Sequence, residues 1–178
     1  YVLVEVLKLT GRKATLAHKC NPGHDITVDG VKDSLKTQAD TGIKEDLLWV
    51  SKFMELGKGQ WSNKPEELEG LRQQFVTHMK SYDRIFSLRA LHKAPRWKYE
   101  LVEIPKELLM LANSGVLEMK LDRKQTPKPG YCYASGADGE KIYDLYFDGG
   151  TERKLQVKNL RKDLCRVHAT WEFLIPQA

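Results

Sequence analysis

The chain is short of the features that announce most familiar functions. Its 178 residues contain only three cysteines, Cys20, Cys132 and Cys165. They form no Cys-X-X-Cys pair and cannot all pair with one another, which points to a reducing cytosol rather than a secreted disulfide framework. No apolar run approaches the about 18 residues that a membrane-spanning helix needs, and no signal-peptide pattern opens the chain. Gly-X-Ser-X-Gly, Walker and dinucleotide-binding glycine motifs are all missing. Repeats, low-complexity segments and a convincing interdomain linker are missing too. Neither sign of charge dominates: 29 Lys and Arg stand against 24 Asp and Glu, a net charge of +5 with a pI near 9.0. That excess is compatible with a polyanionic partner without demanding one.

What remains is enough for one substantial core. With 41% hydrophobic residues in 178, a single domain is the default expectation. Because Tyr1 already lies inside a helical pattern, a longer parent with further N-terminal residues is expected.

The most informative stretch runs from Asp25 to Gln38. Asp29-Gly30 is the dipeptide favoured in a two-residue hairpin turn, where both central residues need positive φ. That turn sets Val28 opposite Val31, Thr27 opposite Lys32, Ile26 opposite Asp33 and Asp25 opposite Ser34. Residues directly opposite share a face, so Asp25, Ser34, Lys36 and Gln38 emerge on one side. Ile26, Val28, Val31 and Leu35 point mainly to the other, towards a core, and Asp33 shares that second face. A carboxylate, a hydroxyl and an ammonium on one strip indicate phosphate chemistry.

Around the hairpin, Val2, Leu3, Val6, Leu7 and Leu9 follow helical spacing before Gly11, and Lys13 to Ala17 is a short strand candidate. Asn21-Pro22-Gly23 is loop chemistry. Ile43, Leu47, Val50, Phe53 and Met54 predict an amphipathic helix from Ile43 to Leu56, ending at Gly57, with Trp49, Phe53 and Met54 as its core residues. A second helix is expected from Pro65 to Lys80, with Glu66 and Glu67 at its positive end. Strands are expected over Ile85–Leu91 and Trp97–Ile104, around a Lys93-Ala94-Pro95 turn. A short helix from Pro105 towards Ala112 follows. Val116–Leu121, Tyr131–Ala134, Ile142–Phe147, Lys154–Val157 and Val167–Ile175 then read as strands, most of them separated by Gly or Pro turns.

This order, together with Asp25 and Ser34-Leu35-Lys36, resembles the PD-(D/E)XK nuclease superfamily, which includes many Type II restriction endonucleases. The resemblance implies an α/β fold of mixed α+β character. Its restriction-endonuclease-like αβββαβ core would occupy residues 1–92, with a β-rich extension for DNA recognition over residues 93–178. It matches Asp25 to the metal-binding Asp, Lys36 to the catalytic Lys and Leu35 to the apolar X, while His24 stands where the family name places Pro. Glu5 occupies the place of an accessory acid on the first helix. The usual second carboxylate is Ser34 here. A subgroup with this Ser-X-Lys form draws its missing acid from the following helix, where the usual window falls on Leu48, Trp49 and Val50. Of the nearby acids Glu45, Asp46 and Glu55, Glu45 is the choice.

On that resemblance Mg²⁺ would be held by Asp25, the Leu35 carbonyl and Glu45, in keeping with its preference for oxygen ligands. Lys36 would orient or activate water, or stabilise phosphate charge, and Gln38 would position the nucleophile or the phosphate. Arg153, Lys154, Lys158 and Arg161 are candidate DNA contacts, interleaved with Tyr131, Tyr133 and Tyr146. Cys20, His24, Cys165 and His168 could in principle bind zinc, but sit in no recognised finger pattern. The leading expectation is a Mg²⁺-dependent Type II-like endonuclease acting on double-stranded DNA, as a cytoplasmic homodimer with no membrane association. A repair or recombination nuclease of the same fold, or a catalytically silent DNA-binding module, are the alternatives.

Overall fold

The computed structural model describes residues 2–18, 21, 23–39, 42–57, 61–93 and 95–174. Helix α1 (Val2–Leu9) ends in a left-handed Gly11 with φ +80°, and the amides of Thr10, Gly11 and Arg12 turn back onto the last carbonyls of the helix. Strands β1 (Ala14–Leu16), β2 (Ile26–Val28) and β3 (Val31–Gln38) follow as an antiparallel meander. Asp29 and Gly30 both take positive φ, 50° and 87°, so the turn has the expected hand. The pairs are Val28 with Val31, Thr27 with Lys32 and Ile26 with Asp33, the register that the turn dictates.

Helix α2 (Glu67–His78) then carries the chain across, so that β5 (Arg84–Lys93) returns parallel to β3, with Ser34 beside Ile85 and Lys36 beside Ser87. Leu68, Leu71, Phe75 and Met79 form the buried stripe of α2 and its final turn, at three- and four-residue spacing. Burying each such side chain contributes about 1.5–3 kcal/mol. Strand β6 (Arg96–Glu103) forms a hairpin with β5, and β11 (Arg166–Leu174) closes a six-stranded sheet of order β1-β2-β3-β5-β6-β11. Ala94 of the expected turn and Ile175 of the last expected strand lie outside the described residues.

A second sheet, β4-β10-β9-β8-β7, is antiparallel throughout: β4 (Leu47–Glu55), β7 (Val116–Met119), β8 (Gly130–Ser135), β9 (Lys141–Phe147) and β10 (Lys154–Arg161). Short helix α3 (Lys106–Leu109) and a 3₁₀ turn over Met110–Ser114 precede β7. The main core includes Leu48, Val50 and Phe53 of β4, Phe75 of α2, Ile85 of β5 and Phe147 of β9. A smaller cluster, Val4, Ala14, Ile26 and Val28, seals α1 against the hairpin. The chain is thus a mixed α/β molecule with few helices, and both sheets draw strands from either side of residue 92.

The helix expected over Ile43–Leu56 is a strand. Its apolar residues have helix-like spacing because β4 is bulged: Val157 pairs with Val50 but Leu155 with Met54, so β4 advances four residues while β10 advances two. The buried positions Leu48, Val50 and Phe53 therefore step by two and then three, and a bulge imitates a helical period.

One buried cation ties the sheets together. Arg89, on the inner face of β5, is fully buried and donates to the Gln38 side-chain oxygen (3.1 Å) and to Glu100 Oε2 (2.7 Å). It also donates to the carbonyls of Lys44 (2.6 Å), Glu45 (3.3 Å) and Leu47 (2.8 Å), which fixes the entry into β4. Lys162 and Lys98 flank Glu100 from the solvent side. Arg89→Met would strand three carbonyls and remove the guanidinium partner of Glu100. The expected loss is about 3–5 kcal/mol of unfolding free energy in a denaturant titration.

Candidate active site

The C-terminal half of β3 continues past the end of β2, and Asp25 fills the gap. The Asp25 amide donates to the Asp33 carbonyl (2.9 Å), extending the ladder by one residue. Its carboxylate reaches the next positions: Oδ2 accepts from the Leu35 amide (2.6 Å) and the Ser34 hydroxyl (3.2 Å). Since N–H and C=O of one strand residue point the same way, the Leu35 carbonyl faces the same open edge as the amide that meets Asp25. Asp25 is exposed, and its Oδ1 takes no partner among the described residues.

Lys36 is half-buried beside it. Its Nζ sits 5.3 Å from the centroid of the Phe53 ring and forms no ion pair or hydrogen bond among the described residues. Burial lowers its pKa, against the opposing pull of the Asp25 charge. The strip is more enclosed than a solvent-facing hairpin, for β4 and α2 cover it: Ser34 and Gln38 are buried. Val31, expected in the core, is 38% exposed, since only Ile26 and Val28 reach the small cluster fully and Leu35 packs on its margin.

Other expected site residues are placed elsewhere. Glu45 lies in the loop before β4, not on a helix, and its Oε2 is 3.6 Å from Lys98 Nζ. Lys98 pairs with Leu91, four residues beyond Ser87 at the level of Lys36 and six beyond Ile85 at the level of Ser34, or about 13 and about 20 Å along the strands. The structure therefore does not bring Glu45 to Asp25 and Lys36. Glu5 sits on the exposed face of α1 in an ion pair with Lys8 (3.0 Å). Gln38 is near the strip, but its side-chain oxygen is held by Arg89 and by the Trp49 amide (3.4 Å). Gln38, Trp49 and Lys158 line a 240 Å³ cleft between the sheets.

Two residues that sequence reasoning missed also border Lys36. His78, at the end of α2, packs edge-on against Phe53 (6.2 Å) and Tyr82 (5.3 Å), and the charges of Lys36 and Asp25 both act on it. Burial, helped by Lys36, pushes its pKa down to about 4, so it is neutral at neutral pH. The signal was present: His78 interrupts the apolar stripe Phe75, Met79, Tyr82. Ser87, beside Lys36 in the parallel ladder, is buried with its hydroxyl unpaired.

Of the basic candidates, Arg161 is bound to Glu140 and Asp163, and Lys154 faces Glu152 (3.5 Å). Lys158 lies over the rings of Tyr146 (4.1 Å) and Trp49 (5.5 Å). Arg153, in a left-handed conformation with φ +42°, forms no ion pair among the described residues. Of the zinc candidates, Cys20 lies outside the described residues, His24 Nδ1 is 3.0 Å from the Asn21 side-chain nitrogen, and His168 Nε2 is 2.6 Å from Glu103. Among the described residues no three His, Cys, Asp or Glu side chains converge as a metal cluster. Nor is any described helix long and apolar enough to cross a membrane.

An exposed acid braced by a backbone amide thus lies beside a half-buried lysine on a sheet that a helical crossover spans. Comparison with known proteins identifies the family. A family model described as SmaI, Type II site-specific deoxyribonuclease, matches residues 1–173. The Type II restriction enzyme SmaI of Serratia marcescens is 47% identical over 159 residues, covering 89% of this chain and 62% of that enzyme. The chain therefore spans less than two thirds of the length of that curated relative. No solved structure matches. The chain belongs to the SmaI family of Type II site-specific deoxyribonucleases.

Asp33 tests the register without touching this chemistry. It is buried on the opposite face with Oδ1 unpaired, and burial raises its pKa despite the nearby Arg84. A raised carboxyl pKa favours the protonated fold, so its contribution is full below the unfolded value and lost as pH rises through the folded one. Asp33→Asn is therefore expected to gain stability relative to wild type as pH rises from 4 to 7 in urea titrations, with DNA cleavage unchanged. Parallel stability profiles for the two proteins would contradict this.

Proposed function

We propose that this chain is a Mg²⁺-dependent restriction endonuclease that hydrolyses phosphodiester bonds at a specific sequence in double-stranded DNA. The observation that carries this reading is the Asp25 carboxylate, fixed through Oδ2 by the Leu35 amide, next to the ammonium of Lys36, with neither Oδ1 nor that ammonium paired among the described residues. The α1, β1-β2-β3, α2, β5 order, with β5 parallel to β3, supports a PD-(D/E)XK core carrying a Ser-X-Lys variant. The wider β-rich part, residues 93–178, is proposed to serve recognition, with the catalytic elements in residues 1–92 apart from the strands they share.

The residues present fit a hard cation of modest protein coordination. Mg²⁺ commonly keeps several waters and takes only one or two carboxylates plus substrate phosphate. Asp25 Oδ1 and the Leu35 carbonyl would hold it, and Ser34, in place of a second carboxylate, braces Asp25 instead. When bound, the ion supplies positive charge to the scissile phosphate and acidifies water. Lys36 adds charge at the same phosphate, and its lowered pKa lets it exchange a proton with the attacking water. One P–O bond forms to the water oxygen as one ester P–O bond breaks, and the leaving oxygen takes up a proton.

Duplex contacts are assigned to the second sheet and its turns. Arg153, without an ion pair among the described residues, is the proposed base reader, while Lys158 and Lys154 meet phosphates; Arg161 has its fork occupied by two carboxylates. Cutting both strands is natural for a homodimer. The exposed apolar residues Trp171, Phe173 and Leu174 on edge strand β11 support such an assembly, in the cytoplasm of a prokaryotic cell. A silent DNA-binding module is the second reading, favoured by Ser34 in place of a second carboxylate.

Asp25→Ala and Lys36→Ala are each expected to lower plasmid cleavage in Mg²⁺ by at least about 100-fold with folding retained, comparable to loss of a strong electrostatic contribution. Discrete fragments from wild type and none from the two variants carry the reading. Specific binding with no cleavage by wild type favours the silent module, and wild-type rates in either variant remove this hairpin as the site.

A further inference from the structure

Buried polar atoms are normally paired, because an orphan costs about 1–3 kcal/mol. Only four buried side-chain atoms among the described residues lack a partner: Asp33 Oδ1, His78 Nε2, Ser87 Oγ and Asp144 Oδ1. Two of these four surround one residue. Ser87 is the lateral neighbour of Lys36 in the β3–β5 ladder, and His78 shares with Lys36 the ring of Phe53. Lys36, with three N–H donors, makes no hydrogen bond of its own among the described residues. Two buried polar atoms without partners thus lie near an ammonium without acceptors among the described residues, and either atom can accept, His78 Nε2 in the tautomer protonated at Nδ1.

Resting on the nuclease reading of the site, we propose that His78 is a positioning residue for Lys36: its Nε2 accepts a hydrogen bond from the Lys36 ammonium when the lysine turns from the Phe53 ring to the scissile phosphate. The neutral imidazole suits this role, since it adds an acceptor without a competing positive charge. Ser87 Oγ offers a second acceptor from the neighbouring strand. The charged groups facing the imidazole are Lys36 and Asp25, and Phe53 and Tyr82 fill the edges. Holding the ammonium at two points restricts it to one orientation. A positioning error of about 1 Å at a reacting centre costs up to about 100-fold in rate.

The test uses the full chain, a duplex that it cleaves, and the variants His78→Leu, His78→Gln and His78→Asn. A Gln carboxamide reaches the place of Nε2, whereas that of Asn reaches only the place of Nδ1. His78→Leu is expected to keep or raise the melting temperature, since a buried unpaired atom is gone, and to bind DNA within about twofold of wild type. Its single-turnover cleavage should fall roughly 10–100-fold. His78→Gln should recover part of that loss and His78→Asn should not. A purely packing role predicts the reverse pattern, with lower melting temperature and unchanged cleavage by the folded fraction, and would overturn the proposal. Should His78→Leu fail to fold, equal rates for the Gln and Asn variants at equal stability would also overturn it. Lys36→Ala separates the two layers: an active Lys36→Ala sinks the nuclease site itself, whereas an inactive one beside a fully active His78→Leu sinks only the role of His78.

Discussion

The register of the Asp29-Gly30 hairpin is the constraint on which the site rests. A strand has a side-chain period of two, so a slip of one residue would exchange the faces of Ser34, Lys36 and Gln38 with those of Asp33, Leu35 and Thr37. Two positive-φ residues at the turn fix the pairing of Ile26 with Asp33, and Asp25 then falls beside Ser34 and Leu35. Its carboxylate caps β3 beyond its pairing with β2, which uses one oxygen for structure and leaves the other without a partner among the described residues. The same bond to the Leu35 amide turns the following carbonyl towards the open edge. On the proposed reading, folding and function draw on one acid.

A second layer of organisation comes from what covers the strip. Sheet packing encloses β3 between the small α1 cluster on one face and the main core on the other. Enclosure lowers the Lys36 pKa and makes electrostatic interactions there stronger than in water. Arg89 sets the limits of that enclosure, since it fixes Gln38 and the chain entering β4 together. The cleft lined by Gln38, Trp49 and Lys158 opens from this point, with cation and aromatic groups on the side of the second sheet.

Much of this was legible in the sequence where local chemistry decides structure. Asp29-Gly30 determined a turn, a register and a polar face, and α2, β5 and the later strands followed their apolar patterns. Residues 43–56 were misread because the bulge in β4 changes the buried spacing from two to three, which a helix also satisfies. The reason for choosing Glu45 fell with that helix, for it rested on the element. His78 and Arg89 escaped notice for a different reason. A polar residue on a buried face looks like noise in a hydrophobic pattern, and only tertiary packing reveals what it meets. Trp49 likewise changed role, from expected helix core to a 38% exposed ring under Lys158.

We propose that Asp25 and the Leu35 carbonyl form the metal-binding edge, with Lys36 beside it and Glu45 uninvolved. Anomalous diffraction from crystals grown with Mn²⁺ and a duplex carrying a non-hydrolysable linkage tests it most directly. A single strong peak per chain is expected within coordination distance of Asp25 Oδ1 and the Leu35 carbonyl oxygen, about 2.0–2.3 Å as for hard cations. A peak bound by Glu45, or one with no ligand from Asp25, would contradict it.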